Sequence, residues 1–295
     1  MTTAAQWWSG ARPRTLPAAI APVVVGTALA GADWLPLRAL LALVVALALQ
    51  VGVNYANDYS DGVRGTDADR IGPIRLVGQG IATPQSVRAA AFASFGIAAI
   101  AGLVLVAISG YWWLLAIGAA SIAAAWFYTG GKRPYGYAGL GEVFVFVFFG
   151  LVPVLGTMYV QVGRINASAV LASIGVGALI CAILITNNLR DIPTDRESGK
   201  RTLAVRLGDH RTRVLYAIAI FVAFAVIVAL ALFPAEASPW PLVGLASLPW
   251  AWRPLRIVMS GTSGPGLIPA LVATGRLVIV YALALSAGLV LQIVF

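Results

Sequence analysis

The chain has 295 residues, of which 60% are hydrophobic and 11% charged, and a formal net charge of +9. A soluble domain carries about 25% charged residues, so an ordinary soluble enzyme is excluded. In so oily a chain the positive charge orients and anchors it at anionic lipid, and no nucleic-acid partner is expected.

Apolar runs of about 18–25 residues recur along the whole length, each long enough to cross a ~30 Å hydrocarbon layer. The alternating decads of a transmembrane β-barrel are absent. The fold class is therefore an all-α polytopic membrane protein, read as one domain over residues 1–295. Nine spans are expected, at roughly 16–32, 38–58, 86–108, 112–129, 140–160, 167–190, 213–233, 240–257 and 267–294. The start loosely imitates a signal peptide, with Arg12 and Arg14 before an apolar stretch. A retained first helix is expected instead, because the parity of the spans works only with it.

With the N-terminus inside, every Lys and Arg except Arg38 and Arg164 falls in an inside segment. That asymmetry sets the expected orientation, with a cytoplasmic N-terminus and long inner loops. The acids are as lopsided. Asp58, Asp61, Asp67, Asp69, Asp191, Asp195, Glu197 and Asp209 are inside, while Asp33 and Glu236 are outside. Glu142 stands alone at the inner end of the fifth span. Trp7, Trp8, Trp112, Trp113 and Trp240 lie near span ends, where tryptophan anchors a helix at the interface. The single Cys181 lies in an apolar run, and His210 has no histidine partner with which to hold a metal.

Two inner segments concentrate the chemistry. "NDYSDGVRGTDADR" closes the second span and "NNLRDIPTDRESGKR" closes the sixth. Equal parity puts both on one side, and the echo between them suggests two related four-helix halves plus a ninth helix. Asp58 and Asp61 are spaced i, i+3, and Asp191 and Asp195 i, i+4, so each pair lies about one helical turn apart. Pro193 splits the second pair, which puts Asp195 just past a helix break. Paired carboxylates at a membrane boundary are costly without a cation. Hard oxygen donors suit Mg²⁺, shared with substrate phosphates, with Asp67 as a further ligand. Asn57, Asn187, Asn188, Arg64, Arg70, Arg75, Arg196, Lys200 and Arg201 then surround a diphosphate, the cations through its non-bridging oxygens. Ion-coupled transport is the competing reading of paired acids and an internal repeat. Transporter acids belong near the midplane, however, and these sit at the inner ends.

Together the motifs resemble the UbiA-type family of membrane prenyltransferases, which carries an N-D-x-x-D first motif and a D-x-x-x-D second one. Here they read Asn57-Asp58-Tyr59-Ser60-Asp61 and Asp191-Ile192-Pro193-Thr194-Asp195. The strings at 12–26, 57–80, 128–150 and 187–208 look most like the branch that acts on 1,4-dihydroxy-2-naphthoate in menaquinone synthesis. The resemblance implies Mg²⁺-dependent transfer of a polyprenyl group from polyprenyl diphosphate to that acceptor, with loss of carbon dioxide. It implies an active site on the cytoplasmic face of the cell membrane, with Asp58, Asp61, Asp191 and Asp195 at its centre. Another aromatic acceptor, such as 4-hydroxybenzoate, remains an alternative. The third inner loop, "YTGGKRPYGYAGLGE", offers Tyr128, Lys132, Arg133, Tyr135 and Glu142 to the acceptor's carboxylate and hydroxyls, with Tyr137 beside them. An interfacial tyrosine belt accounts for the same residues.

Overall fold

A computed structural model of the chain describes residues 2–65, 74–233 and 237–294. Asp67, Asp69, Arg70 and Glu236, singled out above, lie outside the described residues. Among the described residues all regular structure is helical. Helical segments stand at each of the nine expected places: α1 (Pro17–Leu29), α2 (Pro36–Arg64), α3 (Pro84–Ser109), α4 (Leu114–Phe127), α5 (Gly141–Val162), α6 (Ala167–Arg190), α7 (Leu203–Leu232), α8 (Leu248–Met259) and α9 (Ile268–Val294). Six of them, α2, α3, α5, α6, α7 and α9, are long and apolar enough to cross a membrane. The remaining three are shorter.

Local signals explain the boundaries. Asn166 caps α6, its side chain accepting the amide of Ala169 at 2.9 Å. Thr83 caps α3 in the same way, and Pro36 and Pro84 take the first turns of their helices, where a missing N–H costs nothing. α5 carries a π-helical stretch over Phe146–Leu151, directly before Pro153. Proline cannot donate to the ladder and crowds the preceding turn, and the wider winding relieves it. α7 begins earlier than the span expected at 213–233 and is kinked at Gly208, where φ is 76°. Asp209 follows the kink and clamps Arg213 at 2.6 and 2.7 Å, the helix-start role its position suggests.

α6 is the central helix. Most of its residues from Ala172 to Arg190 are buried among α1, α5, α7 and α9. Its approach to α5 is backbone to backbone. A Cβ on Gly150 would stand 2.5 Å from the Cα of Gly177, so a side chain at either position forces the helices apart. α2 and α3 form a second packed unit, capped by the short helix Ala4–Gly10. Polar groups stitch that unit to the start of α1: Asn54 donates to the carbonyl of Ala11 at 2.9 Å and to the hydroxyl of Thr15 at 3.0 Å.

Candidate active site

α2 has 29 residues and a length of about 44 Å, well beyond the ~30 Å needed to cross hydrocarbon. The surplus carries the first motif. The helix continues through Asn57–Asp61 and ends at Gly65, whose φ of 72° lets its amide turn back onto the carbonyls of Asp61 and Gly62. The two aspartates of the motif go to different partners. Asp58 is fully buried and accepts the amides of Leu76 at 2.8 Å and Val77 at 3.0 Å, which staples the returning loop to α2. Asp61 accepts the hydroxyl of Tyr137, and the ammonium of Lys200 lies 3.6 Å from the same oxygen.

The second motif is built from its own neighbourhood. α6 stops at Arg190, Asp191 leaves the helix, and a short helix, Ile192–Glu197, starts with Pro193 in its first turn. Asp191 and Asp195 therefore stand on either side of a break, as the proline predicted. Arg190 grips Asp191 with two bonds, 2.6 Å from Nε and 2.8 Å from Nη2, and also reaches the amide oxygen of Asn187 at 2.8 Å. All three charged groups, Arg190, Asp191 and Asp195, are buried.

Lys200 and Tyr137 bring the two motifs together. The backbone amide of Lys200 donates to the carbonyl of Asp195 at 2.8 Å while its ammonium faces Asp61. The carbonyl of Tyr137 accepts the amide of Arg201 at 2.9 Å while its hydroxyl serves Asp61. The ring of Tyr137 lies between Lys200, 4.7 Å from its centre, and Arg64, 5.4 Å from it. One residue of the third loop thus holds the ends of α2 and α6 in register.

Several of the expected residues have partners within the protein. Arg64 donates to the carbonyls of Thr129 and Gly131, so it anchors the glycine turn after α4. Asn57 accepts the hydroxyl of Thr129 at 2.8 Å and reinforces that anchor. Asn188 donates to Glu142 at 2.9 Å, tying α6 to α5. Among the described residues no three His, Cys, Asp or Glu side chains converge on a metal position, and Asp67, the fifth carboxylate expected to share metal, lies outside them. Arg190 and Lys200 balance these acids instead. The donor set still fits Mg²⁺, being hard carboxylate oxygens buried at two adjoining helix ends. Arg75 is buried beside the loop that Asp58 holds. Lys132, Arg133, Arg196 and Arg201 are exposed on the surrounding loops.

Tyr128 and Tyr135 help line an apolar cavity of about 360 Å³ bordered by α1 to α5. Tyr135 donates to the carbonyl of Ala124 at 2.6 Å and stacks on Phe144, with ring centres 3.9 Å apart. Burial pushes its hydroxyl well above the ordinary phenol range, so it stays protonated and cannot act as a base. Along α2 the cavity is lined from Val53 to Ala42, a rise of about 16 Å.

Three contributors escaped the sequence reading. Arg190 precedes Asp191 directly, and that adjacency was the available signal. Tyr137 was noted only as one tyrosine among several. Arg12 adopts a left-handed backbone, φ 54° and ψ 67°, and its charge acts on Asp58. Nothing in the string "ARPRT" signals that conformation, although Pro13 keeps its predecessor out of the right-handed helix.

Residues 19–263 match the UbiA prenyltransferase family. This chain belongs to that family. Among UbiA relatives, the 1,4-dihydroxy-2-naphthoate octaprenyltransferase of Mycobacterium tuberculosis (strain ATCC 25618 / H37Rv) is 55% identical over 98% of both chains. The enzyme of the same name from Escherichia coli (strain K12) is 40% identical over 91% of this chain and 89% of its own. The fold matches a solved UbiA homolog from Archaeoglobus fulgidus bound to GPP and Mg²⁺, with a TM-score of 0.72, 13% identity, and coverage of 97% of this chain and 99% of the other. With its run of apolar helices, this UbiA member is a multi-pass membrane protein.

Proposed function

We propose that this protein transfers a polyprenyl group from a polyprenyl diphosphate to 1,4-dihydroxy-2-naphthoate, releasing diphosphate and carbon dioxide and giving demethylmenaquinol, the reduced form of demethylmenaquinone. The observation that carries the reading is the near-full-length identity to relatives named for that acceptor. The joining of both aspartate motifs through Lys200 and Tyr137 supports it. Family membership, with the acids at helix ends away from the bilayer midplane, argues against an ion-coupled carrier.

In this reading Asp58, Asp61, Asp67, Asp191 and Asp195 would hold Mg²⁺. When bound, Mg²⁺ supplies positive charge to a departing diphosphate. Lys200 leaves Asp61 for the phosphate oxygens, and Arg75, Arg196 and Arg201 border the same pocket. Arg190 holds Asp191 in place. The C–O bond of the donor breaks with its electron pair on the diphosphate, and the electron-rich naphthoate ring supplies the pair for the new C–C bond. Loss of the carboxylate as carbon dioxide returns a pair to the ring. Lys132 and Arg133 attract the acceptor's carboxylate, and Tyr128 and Tyr135 flank its entry while shielding the allylic cation. The apolar cavity below them takes the prenyl tail. The motif end faces the cytoplasm, an orientation that the distribution of Lys and Arg supports, and the protein spans the cell membrane nine times.

The test is an assay of the purified protein with Mg²⁺, octaprenyl diphosphate and a panel of aromatic acids, recording carbon dioxide and product mass. Turnover with 1,4-dihydroxy-2-naphthoate is expected. Turnover with 4-hydroxybenzoate alone overturns the acceptor assignment.

A further inference from the structure

The helix ends away from the aspartate motifs carry little charge. Of the two basic residues expected there, Arg38 is committed to the protein, donating to the carbonyls of Val160 at 2.6 Å and Ile108 at 2.8 Å. Arg164, in the turn between α5 and α6, is exposed. So is Asp33, in the turn that follows α1. Among the described residues neither side chain makes a hydrogen bond or an ion pair, with the other or with any neighbour.

These two unpaired charges of opposite sign border one cleft of about 660 Å³. It lies between the end of α1, the turn from α5 to α6, the segment before α8 and the end of α9. Asn166 lines it too. Its side-chain oxygen accepts the amide of Ala169, which leaves its NH₂ group to donate. Met158, Val162 and Ile293 supply an apolar flank, and Ile293 is exposed. Trp240 lines the cleft and the exposed Trp34 follows Asp33. Tryptophans at the ends of membrane helices sit level with lipid headgroups. A cavity of ~150 Å³ takes the six carbons of benzene. On that scale the cleft has room for roughly twenty-five non-hydrogen atoms, enough for the glycerol and headgroup of a phospholipid.

We propose that this cleft binds a zwitterionic aminophospholipid, with the lipid's phosphate on Arg164 and its primary ammonium on Asp33. The guanidinium presents a fork of donors that matches two phosphate oxygens. The carboxylate accepts from the ammonium, which has three N–H donors to offer. An anionic headgroup would satisfy Arg164 but meet repulsion at Asp33. A quaternary ammonium carries the right charge and has no N–H to give. Only a headgroup with both signs and a primary amine leaves neither residue unpaired. The apolar flank takes the first carbons of the acyl chains. α6, with 24 residues and a length of about 36 Å, has Ser168 at this cleft and Arg190 at the second aspartate motif. The lipid site is therefore separate from the transfer site and does not depend on the reaction assigned there.

The test is competitive retention. The full-length protein is reconstituted in vesicles of equal parts phosphatidylethanolamine, phosphatidylcholine and phosphatidylglycerol, extracted in mild detergent and weighed with its bound lipid by native mass spectrometry. Phosphatidylethanolamine should be retained about tenfold over either competitor, the scale of one hydrogen bond to a charged group. Asp33→Asn should abolish that preference, and Arg164→Gln should lower retention of phosphatidylethanolamine about tenfold. Asp33→Lys removes the ammonium's partner and adds a second cation, so it should turn the preference to phosphatidylglycerol. Both positions are exposed turns, and an unchanged melting midpoint checks folding in each variant. Equal retention of the three lipids by the unaltered protein overturns the proposal. So does a preference for phosphatidylglycerol in the unaltered protein, or a preference for phosphatidylethanolamine that survives in the folded Asp33 variants.

Discussion

The ends of α2 and α6 carry the same kind of motif and are held in opposite ways. At the end of α6, Asp191 is gripped by the residue beside it in the chain, Arg190, through two short bonds. At the end of α2, Asp58 depends on Leu76 and Val77, and Asp61 on Tyr137 and Lys200. One half of the site is therefore assembled as soon as its helix forms. The other waits for three loops to arrive. A locally balanced carboxylate resists change anywhere else in the protein, whereas a remotely balanced one reports on the whole fold.

Substitutions sharpen that contrast, beginning with the strongest. Asp61→Asn should lower kcat/KM about 10²–10³-fold, as removal of one preorganised electrostatic group does, with the helical circular dichroism unchanged. Arg190→Leu leaves Asp191 buried without its counter-charge, and breaking such a pair costs about 3–5 kcal/mol. The melting midpoint should fall accordingly. Arg190→Lys should recover only part of the loss, because an ammonium cannot make the forked contact. Tyr137→Phe removes one hydrogen bond to a charged group, worth about 1.5–3 kcal/mol, and should reduce activity more than stability because it frees Asp61. If Tyr137→Phe and Arg190→Leu destabilise equally, the distinction between the two halves is lost.

The smallest effect is expected at Tyr135. Its hydroxyl is raised by burial, so the folded protein keeps that proton at pH values where the unfolded chain releases it. The contribution is fully present below the ordinary phenol value of about 10 and is lost as pH climbs above it. Tyr135→Phe should flatten the alkaline fall in melting midpoint and leave the profile near neutrality unchanged. An unaltered alkaline limb would contradict the burial of that hydroxyl.

What could be read in advance follows the same division. The helical segments were legible because an apolar run of the right length has few alternatives in a membrane. The break between Asp191 and Asp195 was legible because Pro193 acts on its immediate neighbours. The contacts of Arg64 were not legible, because a guanidinium beside an acidic motif satisfies carbonyls as readily as phosphate, and only the fold shows Thr129 and Gly131 within its reach. Tyr137 was read only as one of several loop tyrosines, since the partners that single it out are brought to it by α2 and by the loop after Asp195. The cavity was beyond reading, because its walls come from five helices.

The central claim is that the two aspartate ends form one diphosphate site. It is tested most directly by the Mg²⁺-dependent dissociation constant of an unreactive prenyl thiodiphosphate in Asp61→Asn, Asp191→Asn and the double variant. Groups that act on one ligand as a unit are non-additive, with coupling of about 0.5–3 kcal/mol. The double variant should therefore bind scarcely more weakly than the worse of the two single ones. Losses that simply add would mean that the ends of α2 and α6 bind independently, contrary to this account.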